Sequence, residues 1–164
     1  MQPPTTAFRL RPARADDLPA INGVIERAIA TWQLPERVKR LSLPSYRYQA
    51  HDLDHLQLMV AEDETYALAG AAAWEPASPR DLPAGKNGLL LHGLYVDPAH
   101  QHRGIGGQLL DAAAAAARAQ RLDGVLVKAQ AEAIGFFEAC GLQRLPVEDA
   151  ARHYPHRFWL ATNH

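Results

Sequence analysis

The apolar positions of this chain change period several times, and each change marks an element. From Leu18 they fall at Leu18, Ile21, Ile25, Ala28, Ile29 and Trp32, a three-and-four spacing that predicts an amphipathic helix. Asp16 and Asp17 stand where a cap and a negative first turn belong, and Pro19 suits that first turn. Ahead of the helix, "FRLR" at residues 8–11 reads as a short strand ended by Pro12. Residues 34–55 are punctuated by Pro35 and Pro44, with "PERVKRL" as a short helix. "LQLMVA" at 56–61 and "ALAGAAAW" at 67–74 read as strands joined through the acidic turn "EDET". Residues 75–87, with three prolines, form a loop. "GLLLHGLYV" at 88–96 is almost continuously apolar, a strand buried on both faces and stopped by Asp97-Pro98.

Residues 104–121 predict a helix, supported by six consecutive alanines at 112–117 and stopped by Gly124. "GVLVKA" is another strand. "EAIGFFEACG" places Ala133, Phe136, Phe137 and Cys140 at helical spacing, with Gly141 closing the turn and Cys140 as a small buried hydrophobe. "HRFWLA" near the end alternates as a last strand. This order of elements predicts an α/β or α+β sheet with helices on both faces.

Composition narrows the class. A chain of 164 residues, 48% apolar and 21% charged, suits one domain with a hydrophobic core, here residues 1–164. A formal net charge of −1 offers no basic field for nucleic acid. The one cysteine, Cys140, excludes an internal disulfide and a cysteine-based zinc site, and fits a reducing compartment. The first 17 residues lack the apolar core of a signal peptide, and no run approaches the ~18 apolar residues of a membrane span. The expectation is a cytoplasmic protein with no membrane partner.

The candidate chemistry lies in "DPAHQHRGIGGQLLD" at residues 97–111, where three glycines occupy four positions just as a helix begins. Each glycine costs a helix roughly 1 kcal/mol relative to alanine, so their presence needs a reason. N–H groups at a helix start lack internal partners and carry the positive end of the dipole. A phosphate can sit on them if side chains are absent. The Walker pattern fails because no Lys-Ser or Lys-Thr occurs. The dinucleotide fingerprint also fails, with Leu109 at its third glycine and seven residues between strand and Gly104.

The pattern [Q/R]-x-x-G-x-[G/A] does fit, as "QHRGIG" at 101–106 after a strand ending "YVDP". This resembles the pyrophosphate loop of the GNAT superfamily of acyl-CoA-dependent N-acyltransferases. "FRLRPARADDLPAI" resembles the family's opening, and "FFEACGL" at 136–142 its F-Y-E-x-x-G-F/L helix. The resemblance covers most of residues 8–161 and is weakest over 34–55. It implies a GNAT fold, with a mixed, mostly antiparallel central sheet splayed between strands 4 and 5. It also implies acetyl-CoA as co-substrate, direct attack of a primary amine on the thioester, and a possible homodimer.

Residue by residue, the resemblance places the pantetheine arm along Leu94, Tyr95 and Val96, where a backbone N–H would polarise the thioester carbonyl. It places the pyrophosphate on Gln101, His102, Arg103, Gly104, Ile105, Gly106, Gly107 and Gln108, with Ile105 anchoring the helix in the core. Gln130 falls where many members carry an asparagine that reaches the cofactor. Phe137 would flank the pantetheine or sulfur, while Phe136 is read as core packing. His92 is the first candidate for general base, since an imidazole near pKa ~6.5 suits removal of an ammonium proton. A histidine hydrogen-bonded within the sheet is its other reading. Glu75 is the second candidate base, or else a solvated loop residue. Phe137 stands where many members carry an acidic tyrosine, so Tyr154, Cys140 or water would supply the proton. That departure also keeps open a non-catalytic acyl-CoA-binding sensor module. "HDLDH" sets His51 and His55 at helical i, i+4 spacing, but without a third ligand no metal is expected. His100 and His102 flank the glycine-rich loop.

Overall fold

The structure, a computed structural model, describes residues 8–162. Residues 1–7, part of the stretch read as lacking a leader, and residues 163–164 lie outside the described residues. Among the described residues, seven strands form in the order β1-β2-β3-β4-β5-β7-β6. They are β1 Arg9–Pro12, β2 Gln57–Glu62, β3 Leu68–Pro76, β4 Gly88–Val96, β5 Gly124–Lys128, β6 Gln143–Arg144 and β7 Arg157–Ala161. The helices are α1 Leu18–Ala30, α2 Glu36–Tyr46, α3 Ile105–Ala119 and α4 Ile134–Ala139. The chain divides into two compact units. One runs up to Ala73 and adds Gly93–Leu109; the other joins Trp74–His92 to the segment from Leu110 onward.

In the first unit, β1 pairs antiparallel with β2, Arg9 opposite Glu62 and Pro12 opposite Met59. Ile21, Val24, Ile25, Ala28 and Ile29 form one buried stripe of α1. They pack with Leu58, Val60, Ala71, Ala73 and Tyr95. Ile21 and Ile25 are fully buried, each contributing about 1.5–3 kcal/mol of hydrophobic stabilisation. Side chains alternate along a strand, so Gly70 faces away from the α1 side. A Cβ there would meet Ile105 Cγ2 at 3.0 Å and Leu109 Cδ1 at 3.1 Å. The start of α3 therefore lies on the face opposite α1. Glu62 is buried at 2% exposure and carries its charge because Arg9 and Arg11 both bond to it.

In the second unit, β4 pairs parallel with β5 from Gly88 opposite Gly124 to Leu91 opposite Val127. That pairing ends at Leu91, whereas β4 itself continues to Val96. β5 then pairs antiparallel with β7, and β7 with β6. The Trp159 ring lies against Gly88 and Gly124, where a Cβ would come within 3.0 Å and 2.5 Å of it. Leu82, Leu126 and Trp159 centre a small core there.

Several expectations need correction. The two-residue β6 was not read as a strand, because two exposed polar residues carry no pattern. α2 runs through Pro44 instead of stopping before it, at the expense of one hydrogen bond in its last turn. β3 extends over Glu75 and Pro76, which were read as loop. α3 ends before Gly124, in a left-handed turn at Arg121 (φ 58°). The Arg121 N–H donates to Arg118 O at 3.0 Å and Leu122 N–H to Ala117 O at 2.9 Å, closing the helix. Residues 50–54 form a 3-10 turn, so His51 and His55 do not share an α-helical face. Cys140, read as a buried hydrophobe, caps α4 and is exposed.

Candidate functional site

β4 ends where the peptide meets Asp97-Pro98, and Asp97 organises everything that follows. Its N–H donates to Ala69 O at 2.8 Å, tying it to β3. Its Oδ1 accepts the Ala99 N–H at 3.0 Å and caps the 3-10 turn Pro98–His100. Its Oδ2 accepts Arg27 Nε at 2.7 Å, a bond from the far end of α1. Burial pushes the Asp97 carboxyl upward, but Ala99, Arg27 and the neighbouring His100 outweigh it and hold it below the ordinary range. The loop is thus pinned at its first residue by an ionised, nearly buried carboxylate.

His100 supports the same turn from its other side. Its ring meets Phe8 edge-on at 5.7 Å, and its Nε2 lies 3.9 Å from Asp63 Oδ2. Its buried Nδ1 has no hydrogen-bond partner among the described residues. Asp63 in turn holds the β2–β3 turn through the Thr65 N–H at 2.8 Å and the Ala67 N–H at 3.1 Å.

Beyond the turn the backbone changes hand twice. Gln101 is extended, His102 has φ 65° and Gly104 has φ 82°. Left-handed residues in a turn bring successive N–H groups to converge, a concavity that takes anions. α3 then begins at Ile105, 1% exposed, with Leu109 at 0% beneath it. The Gln108 N–H donates to Gly104 O at 3.0 Å, closing the first turn. Helix geometry leaves the N–H groups of 105, 106 and 107 without intrahelical acceptors. No acidic side chain occupies that first turn. A Cβ at Gly107 would meet nothing within 4 Å, so open space lies over it. Gln101, His102, Arg103 and Gln108 are exposed around it.

The candidate residues fall into two sets. The first unit holds Leu94, Tyr95, Val96 and all of 101–108 in one continuous strand-to-helix passage. Tyr95 is buried, while Leu94 and Val96 are half-buried on the stretch of β4 beyond its β5 pairing. The second unit holds Glu75, His92, Gln130, Phe137 and Tyr154. His92, expected on a strand buried on both faces, is the exposed position of β4. Glu75 is half-buried near the end of β3, beside the buried Trp74. Gln130 precedes the 3-10 turn Ala131–Ala133 as its cap. Phe137 is 4% exposed, its ring 5.1 Å from Phe136 and 6.0 Å from Phe158. It is a packed core residue, and Phe136, read as core, is the more open of the two. The Tyr154 hydroxyl donates to Ala129 O at 2.9 Å, next to Gln130.

Sequence reasoning missed Asp97 and Arg27 as the loop's anchor. Asp97 was read only as a strand stop, and its partner lies 70 positions away, beyond any local pattern. Among the described residues, no group of three or more His, Cys, Asp or Glu is placed to hold a metal ion. None of the described helices is long and apolar enough to cross a membrane.

The helix start that the glycines open follows a central strand of a mixed, seven-stranded sheet among the described residues. The acetyltransferase (GNAT) family model matches residues 26–142, and the chain belongs to that family. A GNAT family acetyltransferase from Brucella melitensis, solved with acetyl-CoA, aligns over 97% of this chain and 90% of its own, with 21% identity and TM-score 0.64. The PaiA N-acetyltransferase of Thermoplasma acidophilum, solved with coenzyme A, aligns over 96% and 99%, with 14% identity and TM-score 0.69. A GCN5-related N-acetyltransferase from Rhodopseudomonas palustris aligns over 100% and 99%, with 21% identity and TM-score 0.68. No curated protein matches the chain significantly in sequence.

Proposed function

We propose that the chain is an acetyl-CoA-dependent N-acetyltransferase that passes the acetyl group directly from the thioester to a primary amine. The observation that carries this reading is the start of α3. Its left-handed residues at 102 and 104, the open space over Gly107 and the absence of a first-turn acid make a fixed anion seat. Such a seat suits the pyrophosphate of acetyl-CoA, and the reading is supported by two similar structures that were solved with acetyl-CoA and with coenzyme A.

From the pyrophosphate, the pantetheine arm runs back along Val96, Tyr95 and Leu94 as an added strand. β4 extends past its pairing with β5 over these residues, which leaves backbone groups for such a partner. A backbone N–H near Leu94 or Tyr95 then polarises the thioester carbonyl and holds the developing oxyanion. The attacking amine must be neutral, so a base takes its proton. His92, exposed on β4, is the first choice and Glu75 the second.

The test is calorimetric titration with acetyl-CoA, followed by a panel of primary amines with detection of released thiol. Gly106→Val should leave a folded protein and remove acetyl-CoA binding. Equal affinity in that variant overturns the anion seat. Binding without turnover of any amine favours instead a non-catalytic sensor, a reading that Phe137, with no proton to give, also supports.

A further inference from the structure

The seat proposed for a pyrophosphate belongs to a loop that itself begins at an anion. Asp97 stands just ahead of residues 101–107, only 7% exposed, its carboxyl held below the ordinary range and so ionised. A carboxylate beside a phosphate site repels the ligand, and the more so where water is scarce. The turn Pro98–His100 does not demand that charge, because asparagine or serine caps such a start as well as aspartate does. A charge in this place needs an answering one.

The answer comes from α1. Arg27 lies in the last turn of that helix. Its Nε donates to Asp97 Oδ2 at 2.7 Å, and its Nη2 lies 2.6 Å from the same oxygen. The other oxygen, Oδ1, accepts the Ala99 N–H at 3.0 Å. A full cation and an amide dipole thus share one carboxylate. A cation in the last turn also suits the dipole of α1, but an arginine leaving the helix in any direction would serve that purpose. The helix makes room for this one direction. A Cβ at Gly23, one turn back, would lie 3.2 Å from Arg27 Nη1 and 3.8 Å from Cζ. Glycine inside a helix weakens it relative to alanine, and here it leaves the space over which the guanidinium lies. Gly23, Arg27, Asp97 and residues 101–107 all belong to the first unit.

We propose that Arg27 is a positioning residue for acetyl-CoA, acting through Asp97 as its counter-charge; this rests on the anion seat described above. The ion pair ties the end of α1 to the end of β4, yet in sum it presents little net charge to the loop that follows. Without the guanidinium, the loop keeps an uncompensated and nearly buried anion just ahead of the place where a pyrophosphate has to settle. Arg27 therefore acts on the cofactor by cancelling the charge of the group that anchors the loop. The glycine at 23 belongs to the same device, since it lets a residue of α1 reach that carboxylate.

Arg27→Gln removes the charge and keeps a polar side chain. Calorimetry should show acetyl-CoA affinity reduced roughly tenfold, the order expected for one uncancelled charge near a phosphate. At saturating acetyl-CoA, kcat on the best amine of the panel should stay within about twofold, so that the loss lies in binding and not in chemistry. Arg27→Lys keeps the cation and should bind acetyl-CoA more tightly than Arg27→Gln. The deciding variant combines Arg27→Gln with Asp97→Asn. Asparagine can still accept the Ala99 N–H but carries no charge, so the pair should recover most of the affinity that Arg27→Gln loses. Gly23→Leu fills the place of the guanidinium, and should weaken acetyl-CoA binding alone but add little in Arg27→Gln. Equal affinity in the wild type and Arg27→Gln overturns the proposal. A double variant that binds as weakly as Arg27→Gln also overturns it, making Arg27 a mechanical brace or a direct ligand of the phosphates. A wild-type protein that binds no acetyl-CoA overturns the anion seat itself, a result distinct from both.

Discussion

Helices α1 and α3 both begin in the first unit, and their first turns are opposites. α1 opens on Asp17, whose carboxylate takes Arg11 Nη1 at 2.8 Å, Arg11 Nη2 at 2.9 Å and the Arg14 N–H at 2.8 Å. Pro19 follows in the first turn and contributes no N–H at all. α3 opens on glycines, with no proline and no acid, beside the exposed His102 and Arg103. α1 is continued from its own chain: the Leu18 N–H donates to Ala15 O in the 3-10 turn before it. In the proposed reading, α3 keeps its donors for the pyrophosphate of acetyl-CoA. On that proposal, the same helix-end electrostatics serves folding at one site and ligand binding at the other, and the residues around the helix start decide which.

The largest break in this contrast should come from Gly104→Val. A β-branched residue at φ 82° is strained, and its side chain would stand at the anion seat. Thermal melts should fall by several degrees, and calorimetry should show acetyl-CoA affinity reduced at least about 100-fold, the order expected when a cluster of charge-assisted bonds is lost.

Gly107→Asp puts a carboxylate into the start of α3, where Asp17 puts one just ahead of α1. The new Cβ enters open space, so the fold accepts it. A carboxylate in the first turn should stabilise the unliganded protein by about 0.3–1 kcal/mol, seen as a melting temperature raised by a few degrees. The same charge should weaken acetyl-CoA binding at least about tenfold, since it repels the pyrophosphate. A variant both more stable and a weaker binder would separate the two uses of a helix start within one residue.

Asp17→Asn makes the smallest change, confined to α1. The Arg11 guanidinium is the main cause holding the Asp17 carboxyl at about 2 instead of 3.8; burial opposes it, and the Arg14 N–H adds to it. A depressed carboxylate stabilises the fold above its ordinary pKa and loses that contribution as pH falls through its folded one. The wild type should melt a few degrees above Asp17→Asn at neutral pH, and the gap should close between about pH 4 and pH 2. Acetyl-CoA affinity should not change in this variant.

The contrast also explains which features were legible in the sequence. α1 announced itself because its caps and its stripe are local, from Asp17 to Ile29. The turn into α3 was legible for the same reason, since "QHRGIGG" holds the loop and the helix start in consecutive residues. What escaped depends on partners far along the chain. Arg27 meets Asp97 across 70 positions, and Asn22 meets Tyr48 across 26. Periodicity places Asn22 on α1 without saying that its amide grips a tyrosine backbone. Burial was misjudged where an apolar run was taken as uniform, so His92 was expected inside and stands exposed. Pro44 misled in the other direction. In the last turn of a helix a proline removes a bond where few remain to be lost, and α2 ran on past it.

Cys140 has a consequence for handling the protein. It is the chain's one thiol and lies exposed at the end of α4. A chain with one accessible sulfur can be linked to a second copy and no further, so air oxidation yields a covalent pair and never a polymer. Because burial and Asp111 hold the thiol in its protonated form, that pairing should be slow and should quicken in alkaline buffer. A two-chain species that vanishes on adding a reductant is then a product of storage, and one that survives in Cys140→Ser is an assembly of folded protomers.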